Sequence, residues 1–176
     1  MSTPDATTTV TSPTTGAPPS TGPAVTTVAW DHPVVQELCA EQQAELRGRY
    51  DDDGGAEPIL PAEEMLVTLL VHVDGQAVAT GSLRDASRYG AGSGEIKRMY
   101  VRAPYRGRGL SRLVLSALEA AAAAHGMRRV ILETGVLQPE AIGLYRSAGY
   151  TPIPNYGPYV HEADSLCFER ALCTVP

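Results

Sequence analysis

Apolar and polar positions follow two rhythms along this chain, and the changes of rhythm mark its elements. Two strand-like runs, 65–73 and 76–83, flank a tight Asp74-Gly75 turn and predict a hairpin. Short apolar runs at 25–29, 95–101, 128–134, 150–153 and 166–171 predict further strands. Three segments carry the helical period instead. Val34, Val35, Leu38, Cys39 and Leu46 recur behind Asp31 and Pro33, a cap and first-turn pair. Leu110, Leu113, Val114, Ala117, Leu118 and Ala121 make one face of a second helix. A third helix is expected within 138–150, with Pro139 at its start and Gly149 just past its end. The order strand, helix, hairpin, strand, helix, strand, helix, hairpin predicts an α/β (α+β) domain, a mixed sheet flanked by helices. Polar loops at 51–62 and 85–94 separate these elements, and the first, with Gly54-Gly55, Pro58 and Pro61, is expected to be mobile.

Composition narrows the function. The 176 residues amount to one domain with room for a proper core. The first 23 are almost entirely Thr, Ser, Pro, Gly and Ala with one charge, Asp5, so a disordered tail is expected before a single domain at 24–176. That tail lacks the basic start and apolar centre of a signal peptide, and no run reaches transmembrane length; a soluble, cytoplasmic protein with no membrane partner is expected. A net charge of −6, with the basic residues scattered, argues against a nucleic-acid partner. Cys39, Cys167 and Cys173 form no CxxC pair, and His32, His72, His125 and His161 show no ligand spacing, so no metal is expected.

The chemistry-bearing stretch begins at Glu95. A strand leads into Arg106-Gly107-Arg108-Gly109-Leu110-Ser111, and the second helix starts there. Glycines let the turn bend tightly with bare amides, and a helix start adds unpaired N–H groups and a dipole that favours a phosphate. A P-loop is excluded, because the chain's only lysine, Lys97, lies upstream of the turn. A dinucleotide fingerprint is excluded as well, because Arg112 stands where its third glycine belongs.

What remains resembles the acetyl-CoA-binding segment of the GCN5-related N-acetyltransferases. Their signature is Arg or Gln, two residues, Gly, one residue, then Gly or Ala; Arg106, Gly109 and Ser111 take those slots, Ser111 as a small departure. The segment 138–150, with its Leu144-Tyr145 and Gly149-Tyr150 pairs, is similar to the family's last helix. The resemblance spans roughly 25–172 and implies a mostly antiparallel mixed sheet. It also implies an acetyl-CoA-dependent transfer to a primary amine, with acetyl-CoA as co-substrate. The turn, Arg106, Gly107, Arg108, Gly109, Leu110 and Ser111, would hold the pyrophosphate, and a bulged strand would offer backbone of Met99, Tyr100 and Val101 to the pantetheine arm. Gln138 stands where the family often has a cofactor-contacting Asn.

Acetyl transfer to an amine needs a proton acceptor, a donor for the thioester oxygen and a proton for the leaving thiolate. Glu95 lies eleven residues before Arg106, the offset of the basic glutamate in the histone-acetylating branch, and is the expected water-mediated base. Its alternative is a strand-end carboxylate paired with Lys97 or Arg98; Glu133 is the rival base. Tyr145 is the expected acid, and its alternative is a core aromatic sharing a face with Ile142 and Ala148. Tyr156 and Tyr159, with Asp51-Asp52-Asp53, are candidate walls for a small-molecule or peptide amine. A homodimer is compatible with the chain but not indicated by it. A catalytically idle acyl-CoA-binding module, sensing or docking, stays open beside the enzyme.

Overall fold

Alternation along each strand puts one row of side chains toward a helix, and seven strands share a single sheet in the order β1-β2-β3-β4-β5-β7-β6. The computed structural model describes residues 22–50 and 60–172. In chain order the elements are β1 (Ala24–Val28), α1 (Pro33–Tyr50), β2 (Met65–Val73), β3 (Gln76–Asp85), β4 (Ser93–Val101), α2 (Leu110–Ala124), β5 (Arg129–Gly135), α3 (Pro139–Ser147), β6 (Thr151–Ile153) and β7 (Ser165–Ala171). β4 and β5 pair in parallel through the α2 crossover, and the other pairings are antiparallel. The expected mixed, mostly antiparallel sheet flanked by helices is the observed one.

The β2–β3 hairpin turns on Asp74 and Gly75, both at positive φ (49° and 79°), as a two-residue turn matched to strand twist requires. One face of the sheet carries the main core. Leu83, Ile96, Val130, Leu132 and Phe168 meet Leu110, Val114, Leu115 and Leu118 of α2, and Tyr145 of α3 joins the same cluster. α2 sits close on the sheet because Gly81 of β3 has no side chain; a Cβ there would come within 2.6 Å of Val114. Val35, Leu38 and Cys39 of α1 pack with Leu70 in a second cluster.

Details depart from the sequence pattern. The residue before Pro33, His32, caps α1: its Nδ1 accepts the Val34 N–H at 3.2 Å, so Asp31 is one residue early. β1 starts and ends one residue sooner than expected. In α2, Leu115 and Ala122 are buried with the expected stripe, because a helix lying across four strands buries more than a narrow seam. Expectations for the tail, the Asp51-Asp52-Asp53 run and Cys173 lie outside the described residues. Among the described residues no helix is long and apolar enough to cross a membrane, and no group of three His, Cys, Asp or Glu could hold a metal.

Two irregularities on β4 open the sheet. Thr80 pairs with Tyr100 but Ser82 with Lys97, so Gly81 faces two residues, and Arg98 at φ 55° forms a bulge. The β4–β5 ladder stops at Ile96 and Leu132, although β4 continues to Val101 and β5 to Gly135. Past that point the two parallel strands part company and leave a slot.

Candidate active site

Parallel strands that separate leave backbone groups without a ladder partner, and here the slot opens into a cavity of about 220 Å³. Its walls come from the end of β4 (Met99, Tyr100, Val101), the turn (Arg106, Gly107) and the start of α2 (Leu110, Ser111). α1 contributes Gln42 and Glu45, and Gln138 precedes the α3 residues Ala141 and Tyr145. Arg108 and Gly109 belong to the turn without lining the cavity. Gly107 and Gly109 adopt φ 75° and 78°, and a Cβ on either would meet nothing within 4 Å. Backbone conformation, not crowding, is therefore what asks for glycine there. The amides from Gly107 to Arg112 find no acceptor among the described residues, so a helix start with its partial positive charge faces the cavity mouth.

Arg106 is already engaged. Its Nε donates to the Val101 carbonyl at 2.9 Å, and its terminal nitrogens donate to Glu45 at 3.1 and 2.5 Å. Glu45 also accepts from Arg49, which pairs with Glu140 at the start of α3. This chain of alternating charges runs from the turn across α1 to α3. The Arg106 hydrogen bond, foremost among its partners, holds the Glu45 carboxyl below its ordinary range.

A second cavity, about 570 Å³, adjoins the first. Lys97, Glu133, Tyr50, Tyr89 and Tyr159 are among its walls, and Gln42, Leu46, Met99, Gln138, Ala141 and Tyr145 line both cavities. The junction therefore lies beneath the β4 bulge. Tyr145 reaches it from α3, with its ring 5.7 Å from Tyr150 and 6.4 Å from Phe168, and its hydroxyl 3.8 Å from Met99 Sδ. Burial, and then the charge of Glu133, push the Tyr145 phenol well above its usual range, so it keeps its proton at neutral pH.

Strand alternation and register put Arg84, Glu95, Lys97 and Glu133 on the sheet face opposite the main core. Glu95 is 0 % exposed and lines neither cavity. Arg84 donates to its Oε2 at 2.7 Å through Nε, and Tyr156 donates to Oε1 at 2.9 Å. Tyr156 itself lies outside the second cavity's walls, held above its ordinary range by burial and by Glu95. Lys97 lies 3.6 Å from Glu95 Oε1 and donates to the Tyr159 hydroxyl at 2.5 Å. Burial pulls its ammonium down, but Glu95, Tyr159 and Glu133 more than offset that, and it stays charged. Glu133, the rival carboxylate, is the one that faces the second cavity, where it accepts from Ser165 Oγ at 2.7 Å.

Sequence reasoning missed Gln42, Glu45 and Arg84. The α1 residues stand in the polar second half of the helix, past its buried Val35, Leu38 and Cys39, where pattern alone reads solvent, and only the splayed strands make that face a cavity wall.

Comparison with known proteins places these features in company. The sequence model of the acetyltransferase (GNAT) family matches residues 32–150. A curated relative, an IAA acetyltransferase of Azospirillum brasilense, is 41% identical over 81 residues; the match covers 46% of this chain and 53% of the relative, so this chain spans about half of its length. A solved Klebsiella pneumoniae protein, provisionally named an acyl-CoA N-acyltransferase, superposes with a TM-score of 0.74 at 28% identity over 86% of this chain and 99% of its own. A GNAT family acetyltransferase from Elizabethkingia anophelis, solved with acetyl-CoA bound, shares the fold at a TM-score of 0.61 and 13% identity, covering 85% of this chain and 98% of its own.

Proposed function

The chain belongs to the acetyltransferase (GNAT) family, and from that premise we propose that it transfers an acetyl group from acetyl-CoA directly to a primary amine at the junction of the two cavities. The observation that carries this reading is the bulged and splayed β4, which joins a slot ending at a bare-amide helix start to a larger cavity holding Glu133. The residues present suit acetyl-CoA. The amides of the turn and Arg106 would take its phosphates, and Met99, Tyr100 and Val101 would flank its arm. The bound cofactor supplies the activated thioester.

The chain's own residues do the rest. In this reading Glu133 takes a proton from the amine and Tyr145 gives one to the departing thiolate. The unpaired β4 backbone at the bulge polarises the carbonyl. Glu95 adjoins the second cavity through Arg84 and Lys97, which line it, and this supports a structural part for it; the Lys97 contact at 3.6 Å keeps a relayed base as the second reading. Tyr159 and Lys97 border the acceptor.

The test is thiol release from acetyl-CoA against polyamines, amino acids, aminoglycosides and peptides, with IAA added because the Azospirillum relative is named for it. Stabilisation by acetyl-CoA with no turnover on any of these would mark an idle acyl-CoA-binding module. Tyr145→Phe keeps the ring and should slow turnover only about tenfold, below the usual general-acid effect, because a thiol with a pKa of about 8.5 leaves with little help. Unchanged turnover and pH profile would make Tyr145 a packing residue. Glu45→Gln removes a carboxylate that competes with phosphate for Arg106. Exposed ion pairs of this sort contribute roughly 0.2–1 kcal/mol, so calorimetry should show acetyl-CoA bound up to about fivefold tighter. Equal or weaker binding would mean Glu45 positions Arg106 instead of blocking it.

A further inference from the structure

A buried polar atom without a partner is uncommon in folded proteins, and here one stands at the junction of the two cavities. Gln42 Oε1 is buried and accepts no hydrogen bond among the described residues. The amide cannot be turned over to relieve this, since its Nε2 donates to the Met99 carbonyl at 2.8 Å and a flip would set two oxygens against each other. The anchor is itself part of the bulged strand, so β4 fixes the height at which the oxygen sits. Leaving such an oxygen unpaired costs stability, and a polar group held at that cost suits a ligand that brings an N–H.

We propose that Gln42 Oε1 receives an N–H of the attacking acceptor amine and so positions it for transfer; the inference rests on the acetyltransferase reading. Two donors could come within reach, the amides of the pantetheine arm and the amine. In that reading the arm runs from the turn past Val101 and Tyr100, so at the level of Met99 the cofactor presents its thioester, which has no N–H to give. The amine does. Gln42 also lines the second cavity, through which the amine arrives.

A neutral primary amine has two N–H groups and one lone pair. With one N–H given to Oε1, the lone pair is free to point at the thioester carbon. As the C–N bond forms and the C–S bond breaks, the nitrogen, already relieved of its ammonium proton by Glu133, becomes cationic again; its second proton passes to water, and the thiolate takes the Tyr145 proton. Solvent returns the base and acid to their starting states. The N–H on Oε1 belongs to a more positive nitrogen in the transition state than in the ground state, so the contact strengthens where it speeds the reaction.

Gln42→Met keeps the length and removes the oxygen. We expect kcat/KM for the best amine of the panel to fall about 10- to 100-fold with most of the loss in kcat. Acetyl-CoA affinity by calorimetry should stay within about twofold, and Tm within about 3 °C, because one buried hydrogen bond is lost as one unpaired oxygen is removed. A drop in acetyl-CoA affinity with kcat kept would give the oxygen to the pantetheine arm and overturn the proposal. Unchanged constants, as from an oxygen that serves only a bound water, would overturn it, and so would a variant that fails to fold. Wild-type enzyme silent on every amine would end the acetyltransferase reading and this proposal with it, whereas an active wild type with an equally active variant would end this proposal alone.

Discussion

Replacing Glu133 with Gln is expected to lower kcat for amine acetylation by roughly 100- to 10,000-fold, the usual range for a general base, while Tm and acetyl-CoA affinity stay near those of wild type. The expectation comes from where the carboxylate is. Glu133 lies past the last β4–β5 ladder pair, faces the larger cavity and is near enough to Tyr145 for its charge to raise the phenol. An amine with a lysine-like pKa of about 10 arrives protonated, so losing the base should hurt such acceptors most and low-pKa amines, already neutral, much less. That dependence on acceptor pKa separates a base from a residue that merely shapes the cavity. Glu133→Gln turning over like wild type while Glu95→Gln is dead and folded would move the base to Glu95, acting through a relay.

Glu95→Gln, in contrast, is expected to act first on stability. Glu95 is 0 % exposed and Arg84's side chain 6 %, and their contact at 2.6 Å is supported by Glu64, which is 26 % exposed. Removing the Glu95 charge leaves buried Arg84 with only the partly exposed Glu64, and breaking a buried pair costs about 3 kcal/mol or more. For a domain of this size that is roughly 6–12 °C in Tm. The double variant Arg84→Met/Glu95→Gln should recover much of the loss, since neither buried charge of the pair is then left without its partner. The measurement is thermal unfolding of the single and double variants. Equal melting of Glu95→Gln and wild type would show that Glu64 suffices to hold Arg84, and would reopen a catalytic part for Glu95.

Much of the architecture was legible beforehand because it depends on local rules. Two apolar runs of strand length gave away β2 and β3, the three- and four-residue spacing gave away α2, and the Asp74-Gly75 pair marked the hairpin turn, since each is a relation between near neighbours. The phosphate turn was readable for the same reason: Arg106 to Ser111 are contiguous, and glycines at positive φ leave a mark in composition. The difference in surroundings between Glu95 and Glu133 was not readable. Both are strand carboxylates on the same sheet face, and what tells them apart is where the β4–β5 ladder ends and that Arg84 lies across from Glu95.

By itself, then, the sequence determined the order of elements, the mixed sheet and the place of the glycine turn, all of which rest on periodicity and on residues adjacent in the chain. The tertiary structure alone decided that β4 bulges at Arg98 and leaves β5, that Glu95 is sealed beside Arg84 while Glu133 meets a cavity, and that polar residues of α1 close over the slot. These are relations among residues as much as 91 positions apart, Gln42 and Glu133 among them. The physical reason is that burial and pairing depend on which strands stop pairing and what covers the gap, and no local pattern of apolar and polar positions encodes that.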